Sequence, residues 1–109
     1  MAIWIKAKQH LPSRIRTPYP SERECAHAMI DNKKFKRFKM IHAFVIDKKG
    51  RLYRNAFLMK GDEVFDGVTK KMTTFASFKK RKNIIAAYRY SLREVIYYMR
   101  ALGRYGRWE

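Results

Sequence analysis

Residues 83–103 read NIIAAYRYSLREVIYYMRALG, and the conformation of this stretch decides how the other elements are arranged. At 100° per residue the stretch separates into faces. Ile85, Tyr88, Leu92, Val95, Met99 and Leu102 recur at 3-4-3-4-3 spacing and form an apolar seam. Lys82, Arg89, Arg93, Arg100, Arg104 and Arg107 form a second stripe, roughly a quarter-turn away. Tyr90 and Tyr97 flank those cations. The spacing predicts one helix over Asn83–Gly103, packed through the seam and offering cations and phenol rings to a partner. Gly103 is its natural terminator and Asn83 its cap.

Working back from this helix, Val68–Lys82 reads as a shorter one around Phe75 and Phe78, capped by Thr73 or Thr74. Its two Phe fall out of phase with the seam, so a break is expected between Lys79 and Asn83. Lys79, Lys80, Arg81 and Lys82 cluster at that break. Cations at a helix start oppose the dipole, which suggests an anion there. Beyond the helix, Tyr105 and Trp108 either dock the tail or wait for a partner.

The middle of the chain reads as a β-hairpin, Phe38–Asp47 with Arg51–Lys60. Ile41–Ile46 is almost wholly apolar, as a strand covered on both faces is. Asp47-Lys48-Lys49-Gly50 is its turn, with Gly50 at positive φ. Arg54 shares a face with Leu52, Ala56 and Leu58, and Arg51 and Asn55 share the other with Tyr53 and Phe57. Such mixed faces suit an edge strand. Gly61–Gly67, with Asp62, Glu63 and Asp66, reads as a charged turn whose spacing does not match a calcium loop.

At the N-terminal side, Ala2–Lys8 alternates as a half-buried strand, with Trp4 on the polar side. Pro12, Pro18 and Pro20 keep Gln9–Pro20 irregular. Ser21-Glu22-Arg23-Glu24 is a capping box opening a helix to about Asp31. Cys25, Ala28 and Met29 give that helix a close-packing face, and Asn32 suits the left-handed C-terminal position. Lys33, Lys34, Lys36, Arg37 and Lys39 follow, with Phe35 and Phe38 interleaved. Such a run is either a solvated face or a binding segment.

These elements predict an α+β fold of one domain, residues 1–109. A three-stranded antiparallel sheet, made of the N-terminal strand and the hairpin, carries helices on one face, the C-terminal one being long. No motif names a family.

The composition narrows the function. Twenty-six Lys and Arg against nine Asp and Glu give a net charge of +17. Self-repulsion of that size disfavours the compact state, which suggests that a polyanion is the partner. A hydrophobic content of 47% distinguishes the chain from a disordered basic tail. The single cysteine, Cys25, precludes an internal disulfide and a Cys-rich zinc site, and fits a reducing, cytoplasmic setting. Lys6 and Lys8 interrupt any signal-peptide core, and no run is long enough to span a membrane. His10, His27 and His42 are scattered, and no phosphate loop or nucleophile elbow is present. The expectation is therefore a non-enzyme without metal or cofactor.

The first functional reading is a nucleic-acid-binding protein of little sequence specificity, for DNA or RNA. Its candidate contacts are Lys33, Lys34, Lys36, Arg37, Lys79, Lys80, Arg81, Lys82, Arg89, Tyr90, Arg93, Tyr97, Arg100 and Arg104. The second is a protein-binding inhibitor or adaptor, in the style of small host-directed viral proteins, docking its basic face on an acidic protein surface. A homodimer through Tyr97, Tyr98 and Met99 is a third possibility.

Overall fold

The computed structural model describes residues 21–46, 48–105 and 108, together with the backbone of residues 2–5. The elements are β1 (Ala2–Ile5), α1 (Ser21–Asp31), a 3₁₀ turn (Lys33–Phe35), β2 (Lys39–Ile46) and β3 (Leu52–Lys60). They continue with β4 (Glu63–Asp66), β5 (Met72–Thr74), α2 (Phe75–Arg81), β6 (Asn83–Tyr90) and α3 (Leu92–Leu102). Gln9–Pro20, the side chain of Trp4, and Arg107 lie outside the described residues.

The α+β class holds, but the three-stranded sheet does not. The strands form one antiparallel sheet in the order β1-β6-β2-β3-β4-β5. Five strands come from residues 39–90, and β1 completes one edge. Two segments account for the difference. Glu63–Asp66, read as part of a charged turn, is a strand paired with β3 on one side and β5 on the other. Asn83–Tyr90, read as the first half of the long helix, is a strand between β1 and β2.

The hairpin itself is as expected, with β2 and β3 paired from Lys39 with Met59 to Ile46 with Leu52. Gly50 has φ +77°, as its turn requires. β3 is not an edge strand, because β4 lies beside it. Its mixed face is accounted for by Arg54, which is buried and donates from Nε to Glu22 of α1 at 3.0 Å.

Helices cover both faces of the sheet rather than one. Met40, Ala56, Leu58 and Tyr90 point toward α1 and α3, where Cys25, Ala26, Met29 and Val95 meet them. Ile41, Phe57, Val64 and Ala87 point the other way, onto Phe78 of α2. Helix α2 connects edge strand β5 to interior strand β6 across that second face. Thr74 caps it, its Oγ1 accepting from the Ser77 amide at 3.1 Å.

Helix α1 runs from Ser21 among the described residues. The Ser21 Oγ accepts from the Ala56 amide at 3.2 Å, just past the last β3–β4 pair, Phe57 with Asp66. Asn32 is not left-handed. Its φ is −118°, and its side chain accepts from the Lys34 amide to cap the 3₁₀ turn.

Candidate nucleic-acid interface

The residues after β6 build a helix with an exposed cationic face. Ser91 starts α3 with a capping box: its Oγ accepts from the Glu94 amide at 3.2 Å, and Glu94 Oε1 accepts from the Ser91 amide at 3.0 Å. The bond from the Ser91 backbone amide holds the Glu94 carboxyl below its ordinary range, against the opposing effect of burial. Glu94 is thus a capping residue of this helix. Gly103 ends the helix at φ +66°, its amide donating to the Met99 carbonyl at 2.9 Å.

Within α3, Val95 is buried and Leu92, Tyr98 and Met99 pack against the core, so this half of the predicted seam is real. Leu102 stands 41% exposed and is not part of it. Arg93, Tyr97 and Arg100 recur at i, i+4 and i+7 on the outward face, and all three are exposed. Arg104 is exposed just past the helix end.

Tyr97 is the most exposed large hydrophobic side chain among those described, at 64%. Its ring meets Tyr98 edge-on, with centroids 5.3 Å apart. Tyr98 stacks on Trp108, at 5.5 Å and 17° between planes. Trp108 is buried against Tyr90 and His42, and its Nε1 donates to the Arg104 carbonyl at 2.9 Å. The tail therefore docks through Trp108. Tyr105 is half-buried, its Oη lying 3.0 Å from His27 Nε2 of α1. Tyr98 and Met99 turn inward, which leaves Tyr97 alone of the three residues offered for a homodimer.

The remaining candidates do not join this face. Tyr90 is fully buried beneath Trp108 and Tyr98, so it cannot flank cations at the surface. Arg89 is exposed, but it lies directly opposite Ile41 on β2 and so shares the α2 side of the sheet. The predicted continuous stripe of Arg89, Arg93 and Arg100 is therefore split between the two sides. Residues at i and i+4 share a helix face, but successive strand residues point to opposite sheet faces.

Lys79, Lys80 and Arg81 are exposed on the last turn of α2, where cations suit the helix dipole. The sequence placed them at the start of the next helix, where they would oppose it. Lys79 Nζ lies 5.5 Å from the centroid of the Phe75 ring. Lys82 is half-buried, with φ −127°. Lys33, Lys34, Lys36 and Arg37 are exposed on and after the 3₁₀ turn. The interleaved Phe35 and Phe38 are buried, packed edge-to-face at 5.0 Å, and cannot stack on bases. Lys36 Nζ bonds the Ile30 carbonyl.

The acidic segment has no metal-site geometry. Asp66 is buried, its Oδ1 accepting from the Val68 amide at 2.9 Å. Among the described residues no group of three or more His, Cys, Asp or Glu comes together to hold a metal ion. Cys25 is a free, fully buried thiol, and burial followed by the Asp66 charge pushes its pKa well up. That disfavours the reactive thiolate. No helix among the described residues is long and apolar enough to cross a membrane.

The one signal that could have located α3 correctly is Ser91-Leu92-Arg93-Glu94. It repeats the Ser-x-x-Glu pattern of Ser21–Glu24, and it marks a helix start in the middle of the predicted helix. No protein-family model, curated protein or solved structure matches the chain.

Proposed function

We propose that this chain is a small, non-catalytic nucleic-acid-binding protein that contacts the phosphate backbone with little sequence specificity. The observation that carries the reading is the net charge of +17 together with its display. Of the twelve candidate Lys and Arg contacts, Lys82 is half-buried and all the others are exposed. Repeated cations of this kind position a protein on phosphates and do not read bases. The α3 face, with Arg93, Tyr97, Arg100 and Arg104, is the primary contact. The α2 end at Lys79–Arg81 is a second, separate one.

The two clusters flank β6. Seven residue steps of about 3.3 Å set Asn83 and Tyr90 about 23 Å apart along the strand. A small anion cannot touch both ends. An extended polyanion can, since a duplex carries a phosphate charge every ~1.7 Å. A reducing compartment such as the cytoplasm suits the lone free Cys25.

The test is equilibrium binding of a labelled oligonucleotide across a salt series. With about six phosphates neutralised, log affinity falls against log salt with a slope near −5. A flat response contradicts the reading. An inhibitor or adaptor docking on an acidic protein would use the same cations. A pull-down repeated after nuclease treatment separates the two: loss of all partners supports the nucleic-acid reading, and retention of one stoichiometric protein supports the adaptor.

A further inference from the structure

We propose that Tyr97 is a stacking platform for an unpaired base, so that the α3 face takes single-stranded nucleic acid through a ring contact that a duplex cannot make. The inference rests on the nucleic-acid reading above and adds the substrate class.

Three observations meet at this residue. First, Tyr97 is 64% exposed, more than any other large hydrophobic residue among those described, whereas its neighbours Ile96 and Tyr98 are half-buried. Second, Tyr97 lies four residues after Arg93 and three before Arg100, so an exposed guanidinium sits about one helical turn to either side. A base laid on the ring would have its flanking phosphates within reach of a cation in both directions. That alternation of ring and cation is how non-specific single-strand binders are built.

Third, the ring adjoins a buried aromatic cluster. It pairs with Tyr98 in a T-shaped contact, and Tyr98 is stacked on Trp108, which packs against His42 and Tyr90 in the core. The base-stacking surface would thus extend from a cluster that is fixed in the fold. Among the described residues, the rings beside the 3₁₀-turn and α2 basic clusters are more covered. Phe35 and Phe38 are buried, and Phe75 lies half-buried beneath Lys79. In a duplex the bases are already stacked on one another, and Tyr97 would reach only groove edges or sugars. The added contact is thus specific to unpaired bases.

The experiment measures fluorescence anisotropy of a labelled oligo-dT of about 12 nucleotides, a length within the site sizes of single-strand binders, and of a duplex of equal length. The full chain is used as wild type, Tyr97→Ala and Tyr97→Phe. Because Tyr97 is exposed, both variants should keep the wild-type melting curve. The expected result is a loss of about 5- to 150-fold on oligo-dT for Tyr97→Ala, with an unchanged salt slope. Duplex binding stays at the wild-type level, and Tyr97→Phe keeps single-strand affinity because it keeps the ring.

Wild-type single-strand affinity in Tyr97→Ala, an equal loss on duplex, or an equal loss in Tyr97→Phe each overturns the stacking role. In those cases steep salt-dependent binding by the wild type leaves the parent reading standing. If the wild type binds neither oligonucleotide, both fall together.

Discussion

Gly67 packs closely against the N-terminus of α1 and against β3. A Cβ there would lie 2.6 Å from the Ser21 carbonyl oxygen, 2.6 Å from Cys25 Sγ and 2.7 Å from the Ala56 carbonyl oxygen. Two of those atoms are backbone, in a helix and a central strand, so neither can give way cheaply. The side-chain bond from Ala56 to Ser21 and the pair of Arg54 with Glu22 fix the same junction. Gly67→Ala is therefore expected to cost about 3 kcal/mol, the upper end for overpacking. A urea denaturation series checks this, and a loss under ~0.5 kcal/mol, within the range of neutral surface changes, would contradict the packing described. Cys25 belongs to the same junction and is a small buried residue there, as its place on the packing face of α1 suggested.

At the scale of elements, β6 is the interior strand that joins the hairpin to β1. A cross-link tests its register. Asn83 is paired with Ile46, whereas Ile84 is paired with Val45 and faces the other side. Ile46→Cys with Asn83→Cys should form a disulfide on mild oxidation, since directly opposed strand residues fall within the Cα separation a disulfide needs. Ile46→Cys with Ile84→Cys should not. Thiol titration reads the outcome, and efficient bridging of the second pair alone would refute the register.

The sequence made the hairpin, α1, α2, the break before Asn83 and the Gly103 terminator legible, each through a strong local signal. It concealed β6 for a physical reason. Ile85 is an extra residue, because Phe44 pairs with Ala86 and Val45 with Ile84. That bulge breaks the period-two alternation that identifies a strand. Ile85, Tyr88 and Leu92 then mimic helical spacing by falling on both sides of a strand-to-helix junction. The strand character of residues 83–90 also alters the candidate site. Arg93, Tyr97 and Arg100 survive as one face because they lie within α3. Arg89 and Tyr90 do not, because strand geometry sends one to the α2 side and the other into the core.

At the scale of the whole molecule, the excess positive charge is spread over both sides of the sheet. Lys79–Arg81 and Arg89 belong to the α2 side, and Arg93, Tyr97 and Arg100 to α3. The charge-reversal experiment that follows from the structure therefore separates residues that the helical reading grouped together. Affinity for a labelled oligonucleotide should be measured over a salt series for wild type, for Arg93→Glu with Arg100→Glu, and for Arg89→Glu. The α3 double variant should lose at least about tenfold in affinity, and its salt slope should become shallower by about 2, one for each phosphate contact removed. Arg89→Glu should stay close to wild type. Equal binding by the double variant and the wild type would contradict the central claim that the α3 face is the primary contact for nucleic acid.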